Sequence, residues 1–237
     1  MLKVITWNCN MAFRKKSKFI EHYKPDILIV PECEHPDKLK FDKESIQPNA
    51  IFWYGTNENK GLGVFSFTDY KISLLKFHEA EFKLIIPLKI SNGEATYTIF
   101  AIWANNPQDR GFQYVGQIWK ALNHYQNRIK KTNTLLIGDF NSNSMWDKPR
   151  REGNHTTVVN ILAEKGIESV YHKYFDQKQG IEQHPTFYLY KNKNKPYHLD
   201  YCFVSKDLMG KLKKVEVGEY EHWIKTSDHV PLIVEFE

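Results

Sequence analysis

The residues with chemical potential in this sequence sit where apolar runs stop. Glu32 follows Ile27-Leu28-Ile29-Val30-Pro31. Asp139 and Asn141 follow Leu135-Leu136-Ile137-Gly138, and Asp200 precedes Tyr201-Cys202-Phe203-Val204. Asp228 and His229 precede the last apolar run, and Asn8 and Asn10 follow the first. Glu32 with Asp139, Asp228 or Asn10 makes an all-oxygen donor set, which suits Mg²⁺ or Mn²⁺ rather than Zn²⁺. Asp139 and Asn141 are two residues apart, so an extended segment points both the same way. The carboxylate can orient or deprotonate a water, and the amide can donate to an anionic oxygen without adding charge. His229 paired with the Asp200 carboxylate would be an oriented imidazole that stabilises charge on a phosphoryl oxygen. Metal, activated water and oriented donors together describe phosphoester hydrolysis. Singly, an Asp after a strand is commonly a turn residue; the combination carries the reading.

Elements must hold these residues in place. Residues 4–7 and the continuous apolar run 27–30 read as strands, the second covered on both faces. Further strands are expected near 52–54, 63–67, 71–75, 134–137, 198–204, 214–217 and 232–236. Segments 84–90 and 96–103 flank Ser91-Asn92-Gly93-Glu94, a hairpin signal because Asn-Gly tolerates positive φ. Helices are expected at 14–23, 112–129 and 157–164. The second has the clearest pattern, with Phe112, Val115, Trp119, Leu122, Tyr125 and Ile129 three or four apart. Hairpins mixed with helix-linked strands predict an α/β (α+β) chain, built as a sandwich of two mixed β-sheets flanked by helices.

Composition narrows the class. The 237 residues are 41% hydrophobic and 14% aromatic, which excludes a disordered chain. No repeat or Gly/Ser/Pro-rich linker divides them, so residues 1–237 read as one domain. The longest apolar run is the six residues 99–104, too short to span a bilayer, so no membrane is expected. Three cysteines cannot close a disulfide framework, and none lies in a metal-binding spacing. Cys9 and Cys33 neighbour motif residues, so strand alternation turns them away from the site. A reducing, cytoplasmic setting is expected. The net charge of +5 fits an anionic partner.

As a set, Thr6-Trp7-Asn8, Glu32, Gly138-Asp139-Phe140-Asn141, Leu199-Asp200-Tyr201 and Ser227-Asp228-His229 resemble the endonuclease/exonuclease/phosphatase superfamily, over residues 4–236. The resemblance implies a four-layer sandwich and a divalent cation, usually Mg²⁺, held by Glu32 with Asn8 and Asp228. It implies that Asp139 activates the attacking water and Asn141 orients it. It places His229 on the scissile phosphate with Asp200 as its partner.

Departures from the family pattern mark the substrate side. Pro31 stands where many members have Gln. Asn10 replaces an Asp common in the nucleases and lowers the site's negative charge by one. Trp103 stands where His or Tyr is usual, and an indole N–H can only donate. Asn106 and Arg110 follow it in a loop that could meet a phosphate, and His198 lies two residues before Asp200, on the same face if extended. Met145-Trp146 and the basic residues near 14–18 and 148–151 flank the site loops. The expected function is a Mg²⁺-dependent phosphodiesterase, with Mn²⁺ as a substitute, acting on nucleic acid and needing no protein partner. Two rivals are a phosphatase for small phosphoesters such as inositol phosphates or lipid headgroups, and a binding scaffold without turnover.

Overall fold

The computed structural model describes residues 1–41, 45–82, 84–105 and 108–237. The strands in chain order are β1 (Leu2–Thr6), β2 (Ile27–Cys33), β3 (Ala50–Asn57), β4 (Lys60–Ser66), β5 (Lys71–Leu74), β6 (Ile85–Ser91) and β7 (Thr96–Trp103). They continue as β8 (Thr134–Asp139), β9 (Ile167–Ser169), β10 (Phe187–Tyr188), β11 (Pro196–Tyr197), β12 (Asp200–Ser205), β13 (Leu212–Val217) and β14 (Leu232–Phe236). One six-stranded sheet runs β13-β14-β1-β2-β4-β3 and the other β5-β6-β7-β8-β12-β9. Each contains one parallel pair, β1 with β2 and β7 with β8, among antiparallel neighbours. Both sheets are therefore mixed, as the alternation of hairpins and helical crossovers predicts.

The sheets face each other across a core that includes Val4, Ile29 and Val234 from the first and Leu88, Ile99 and Leu135 from the second. The outer face of the second sheet is covered by α2 (Val115–His124) and α3 (His155–Glu164), which follow the short α1 (Lys18–Glu21) in the chain. Ile118, Leu122, Val158 and Leu162 pack there on Phe100, Leu136 and Phe203. Over the first sheet, Trp7, Phe13, Ile20 and Trp223 form a third apolar cluster. Four layers result, as expected. The remaining helices, α4 (Val170–Phe175), α5 (Lys206–Met209) and α6 (Tyr220–Trp223), are short. No helix among the described residues is long and apolar enough to cross a membrane.

Two expected helices are shorter than their apolar patterns. In place of the helix expected over 14–23, Phe13–Lys15 form a 3₁₀ turn and only the four residues of α1 are α-helical. The N–H of Lys16 bonds the carbonyl of Phe13, a three-residue step that tightens the chain. The 112–129 pattern contains only ten helical residues: Tyr114 at φ 54° and ψ −116° breaks the helix before Val115, and it ends at His124, with Tyr125 as its cap. Phe112 still packs, its ring stacked on Trp119 at 5.3 Å. Side-chain periodicity therefore outlives the helix that generates it.

The hairpin at Asn92-Gly93 is present, with Gly93 at φ 94° and Ser91 paired to Thr96. All three cysteines are buried free thiols.

Candidate active site

The site lies where both parallel pairs end. The second sheet contributes a row of three residues. Register sets Trp103 of β7 beside Asp139 of β8, and Asp139 opposite Asp200 of β12. Two carboxylates directly opposite on adjacent strands repel each other. Both side chains are fully buried, which raises the cost further. The arrangement persists because polar partners surround it.

Asp139 is the best supplied. Asn8 Nδ2 and Asn141 Nδ2 donate to its Oδ2 at 3.0 and 2.9 Å, and the Asn141 N–H donates to Oδ1 at 2.8 Å. Asn141 Nδ2 also reaches the Ala104 carbonyl at 2.8 Å, locking the amide toward the carboxylate. Burial, then the facing Asp200, pushes the Asp139 carboxyl up to about 7, against the pull of His229 and the amide donors. An acid poised near neutrality can accept a proton from water.

His229 donates through Nδ1 to Asp200 Oδ2 at 2.8 Å. Burial disfavours its charge, but Asp200 and Asp139 more than offset that and raise the imidazole to about 10. The ring is held as an imidazolium, a cationic donor suited to a phosphoryl oxygen. Ser227 fixes the segment: its Oγ donates to the Asn8 carbonyl at 2.7 Å and accepts from the His229 N–H at 3.0 Å. Trp7 Nε1 donates to the His229 carbonyl at 3.1 Å.

Glu32 enters from the first sheet at a β-bulge in β2, where its φ is 62°. A bulge re-aims a side chain that regular alternation would direct elsewhere. Its carboxylate accepts from Asn8 Nδ2 at 3.4 Å and pairs with the Lys60 ammonium at 3.1 Å. Asn8 thus bridges Glu32 and Asp139, while its oxygen accepts the Asn10 N–H at 3.0 Å. The Asn8 amide therefore presents nitrogen to both carboxylates, an arrangement that the ligand assignment did not foresee.

A hard cation suits these donors. The Glu32 carboxylate already faces one positive charge. Asp200 Oδ1 is buried with no hydrogen-bond partner among the described residues. The carboxylates of Asp139 and Asp200 lie with the His229 ring within 4.8 Å of one another, and of the three only the carboxylates can ligate a cation while the ring is an imidazolium. Asp228 is half-buried and stands outside that group, with its backbone carbonyl accepting from Tyr188.

Two clefts open here and share only Tyr114 and Asn141. One, of about 870 Å³, runs past Glu32, Lys60 and Trp103. The other, of about 190 Å³, is lined by Trp146, Lys148 and Arg151. Trp103 therefore borders the larger cleft, with Lys60 Nζ 5.2 Å from its ring centre.

Three substrate expectations meet a different arrangement, and a fourth, Asn106, lies outside the described residues. Asn10 and Arg110 line neither cleft. The Asn10 carbonyl accepts from Lys16 Nζ at 3.1 Å, and Arg110 is exposed on its loop. His198 does not extend β12 toward the site. The Thr186 hydroxyl accepts from the N–H groups of both Leu199 and Asp200, and His198 and Leu199 lie between β11 and β12, outside either strand. The His198 ring is buried 4.3 Å from Tyr171, with Nδ1 on the His184 carbonyl at 2.7 Å.

Sequence reasoning missed Lys60, Tyr114, Thr186 and the network behind Asn141. There Asn143 Nδ2 donates to Glu182, to the His198 carbonyl and to Tyr201. Glu182 also accepts from His172 at 3.0 Å and from the Gly180 N–H at 2.9 Å. The spacing Asn141-Ser142-Asn143 was the available signal. Its partners are distant in sequence and carried none.

This network predicts acid sensitivity. Burial holds His198 down at about 4, well below the 6.5 of an exposed histidine. The unfolded chain then binds a proton that the folded chain refuses between those values. Stability contributed by neutral His198 is present above pH 6.5 and lost as pH falls through about 4, by about 3 kcal/mol. Burial alone would raise Glu182, but His172, Asn143 and Gly180 lower it to about 2, so a second loss begins below its ordinary 4.5. Asp139, raised to about 7, gives the opposite slope over the same range, so the two proteins are compared: from pH 7 to pH 4 in urea unfolding, His198→Gln should gain stability relative to the parent. An unchanged slope in that variant would refute the assignment.

Fold and site together define a phosphoester hydrolase: a buried carboxylate poised to take a proton, with an imidazolium and amides beside it. The chain belongs to the endonuclease/exonuclease/phosphatase family, whose sequence model matches residues 5–229. Its fold is similar to a 3′ phosphatase from Neisseria bound to a product DNA hairpin, with TM-score 0.71, 17% identity and 100% of both chains covered. It is also similar to an AP endonuclease from Archaeoglobus fulgidus, with TM-score 0.69, 19% identity and 100% of both chains covered. An AP endonuclease from Leishmania major aligns with TM-score 0.69 and 12% identity, over 98% of this chain and 86% of its own. No curated protein matches the sequence significantly.

Proposed function

We propose that the protein is a Mg²⁺-dependent phosphodiesterase that cleaves DNA. The buried Asp139–Asp200–His229 cluster, linked through Asn141 to the wall of two clefts, carries this reading. Asp139 takes the proton of the attacking water. Asn141 and Asn8 hold Asp139 in place, with the amide N–H groups of each spent on Asp139 and on Ala104 or Glu32. His229, oriented by Asp200, stabilises charge on the phosphoryl oxygens. Glu32, Asn8 and Asp228 are the proposed Mg²⁺ ligands, with Mn²⁺ able to replace it. Bound there, the cation would act as a Lewis acid on the phosphoryl oxygens. The amide oxygen of Asn8 keeps a second lone pair for that purpose.

The DNA assignment draws on two of the similar structures, an AP endonuclease and a 3′ phosphatase bound to a product DNA hairpin, and on Lys148 and Arg151 beside the smaller cleft. Three buried free thiols suit a reducing, cytoplasmic compartment.

The test is a panel of single-stranded, duplex and abasic DNA, RNA and inositol phosphates, each with Mg²⁺, Mn²⁺ or EDTA. Expected is DNA cleavage that EDTA abolishes and either cation restores. Phosphate release from inositol phosphates without DNA cleavage would replace this reading with the small-phosphoester one.

A further inference from the structure

The larger cleft differs in character from a backbone-binding channel. Lys60 is its one cation among the described residues, against the carboxylates of Glu32 and Glu81. Its walls are aromatic at Tyr54, Trp103 and Tyr114, and amide-bearing at Asn57, Gln108 and Gln117. Flat apolar faces beside hydrogen-bonding amides suit a nucleobase, which has a π-face and a donor–acceptor edge. The smaller cleft also has an aromatic and amides, at Trp146, Asn143 and Asn154, but is the more basic of the two, with Lys148 and Arg151 against Asp147, and suits phosphates.

Tyr114 stands between them. Residues 113–116 form a turn closed by the Gly116 N–H on the Gln113 carbonyl at 3.1 Å. Tyr114 takes its second position at φ 54° and ψ −116°, the type II′ conformation in which glycine is favoured. A side chain with a β-carbon is strained there. The Tyr114 N–H donates to the Asn105 carbonyl at 2.9 Å, and its own carbonyl accepts from Gln117 at 2.9 Å, so both sides of the turn are held. The ring is 40% exposed and has no aromatic partner or side-chain hydrogen bond among the described residues. Packing gives no reason for a tyrosine at a glycine position. Its situation beside Asn141, on the wall common to both clefts, does.

We propose that Tyr114 is the stacking platform of a nucleobase subsite in the larger cleft. It takes an unpaired base of the nucleotide whose phosphate lies at Asn141, with neighbouring phosphates running toward Lys148 and Arg151. The inference rests on the DNA reading above and deepens it: a base inside an intact duplex is already stacked, so single strands and frayed ends are the substrate.

Tyr114→Gly removes the ring and relaxes the turn, so it folds at least as well as the parent. Tyr114→Phe keeps the ring. On a single-stranded oligonucleotide, Tyr114→Gly should raise KM by about tenfold or more with kcat nearly unchanged, and Tyr114→Phe should match the parent. The parent should also prefer that strand to its blunt duplex. In metal-free buffer, the fluorescence of an aminopurine-containing strand should be quenched by the parent and by Tyr114→Phe, and not by Tyr114→Gly. Cleavage of single strands by Tyr114→Gly with parental KM would overturn the subsite and leave the DNA reading intact. Cleavage of bis-nitrophenyl phosphate with no cleavage of any oligonucleotide would overturn both.

Discussion

Replacing His229 with glutamine is expected to lower kcat by about 10²–10⁴-fold, with a smaller change in KM. The imidazole is the cationic donor of the site, raised to about 10 by the two carboxylates facing it. Glutamine can keep a neutral N–H toward Asp200 but supplies no positive charge to a phosphoryl oxygen. The cost in stability should differ between substitutions. His229→Ala leaves Asp200 buried with neither oxygen partnered, because its Oδ1 already lacks a partner. Removing one member of a buried pair typically costs about 3–5 kcal/mol. His229→Gln should lose much less in urea unfolding while losing nearly as much activity. Parental turnover in His229→Gln would contradict the role assigned to the imidazole.

The second large effect is structural. Gly138→Ala is expected to destabilise the fold by more than about 4 kcal/mol, in the range reserved for core disruption. Gly138 has φ 146°, where L side chains rarely go. A β-carbon there would lie 1.9 Å from the Ile102 carbonyl oxygen and 2.7 Å from its carbon. Both atoms are backbone of β7, the parallel neighbour, so no rotamer change relieves the overlap. The strands would have to part where β8 delivers Asp139. Gly93→Ala is the control. Its φ is also positive, at 94°, but nothing lies within 4 Å of the added carbon. Only backbone strain of about 1–2 kcal/mol applies there. Thermal unfolding of the two variants should separate widely, and similar melting temperatures would refute the steric account.

The backbone of the site was legible because its residues interrupt apolar strands. Asp139, Asn141, Asp200 and His229 converge as their types and positions suggested, and Glu32 enters from β2. The layers were legible from alternating hairpins and crossovers. What escaped was whatever depends on local backbone conformation or distant partners. His198 was placed by strand alternation, but β12 begins only at Asp200, where the backbone N–H is taken by the Thr186 hydroxyl, so alternation does not reach it. The helix near 112–129 was overlong because apolar spacing registers neither the φ of Tyr114 at its start nor the cap at Tyr125 where it ends. The orientation of the Asn8 amide depends on Asn10 and two carboxylates together. Lys60 carries no motif and gains meaning only from the fold that brings it to Glu32.

The pairing of β1 with β14 sets the order in which this enzyme can come into being. Leu2 pairs with Phe236, and Trp7 and Asn8 are bound to His229 and Ser227. Asn8 is thus seated by a segment that the ribosome makes more than two hundred residues later. Until β14 docks, β1 has an open edge and the imidazole is absent from the carboxylates. Such non-local closure slows folding, and an open edge invites pairing with other chains. Until then the growing chain has no working site, exposed to aggregation yet unable to cleave a phosphoester. Recovery of activity on refolding should trail recovery of helical signal, because the last strand completes the chemistry.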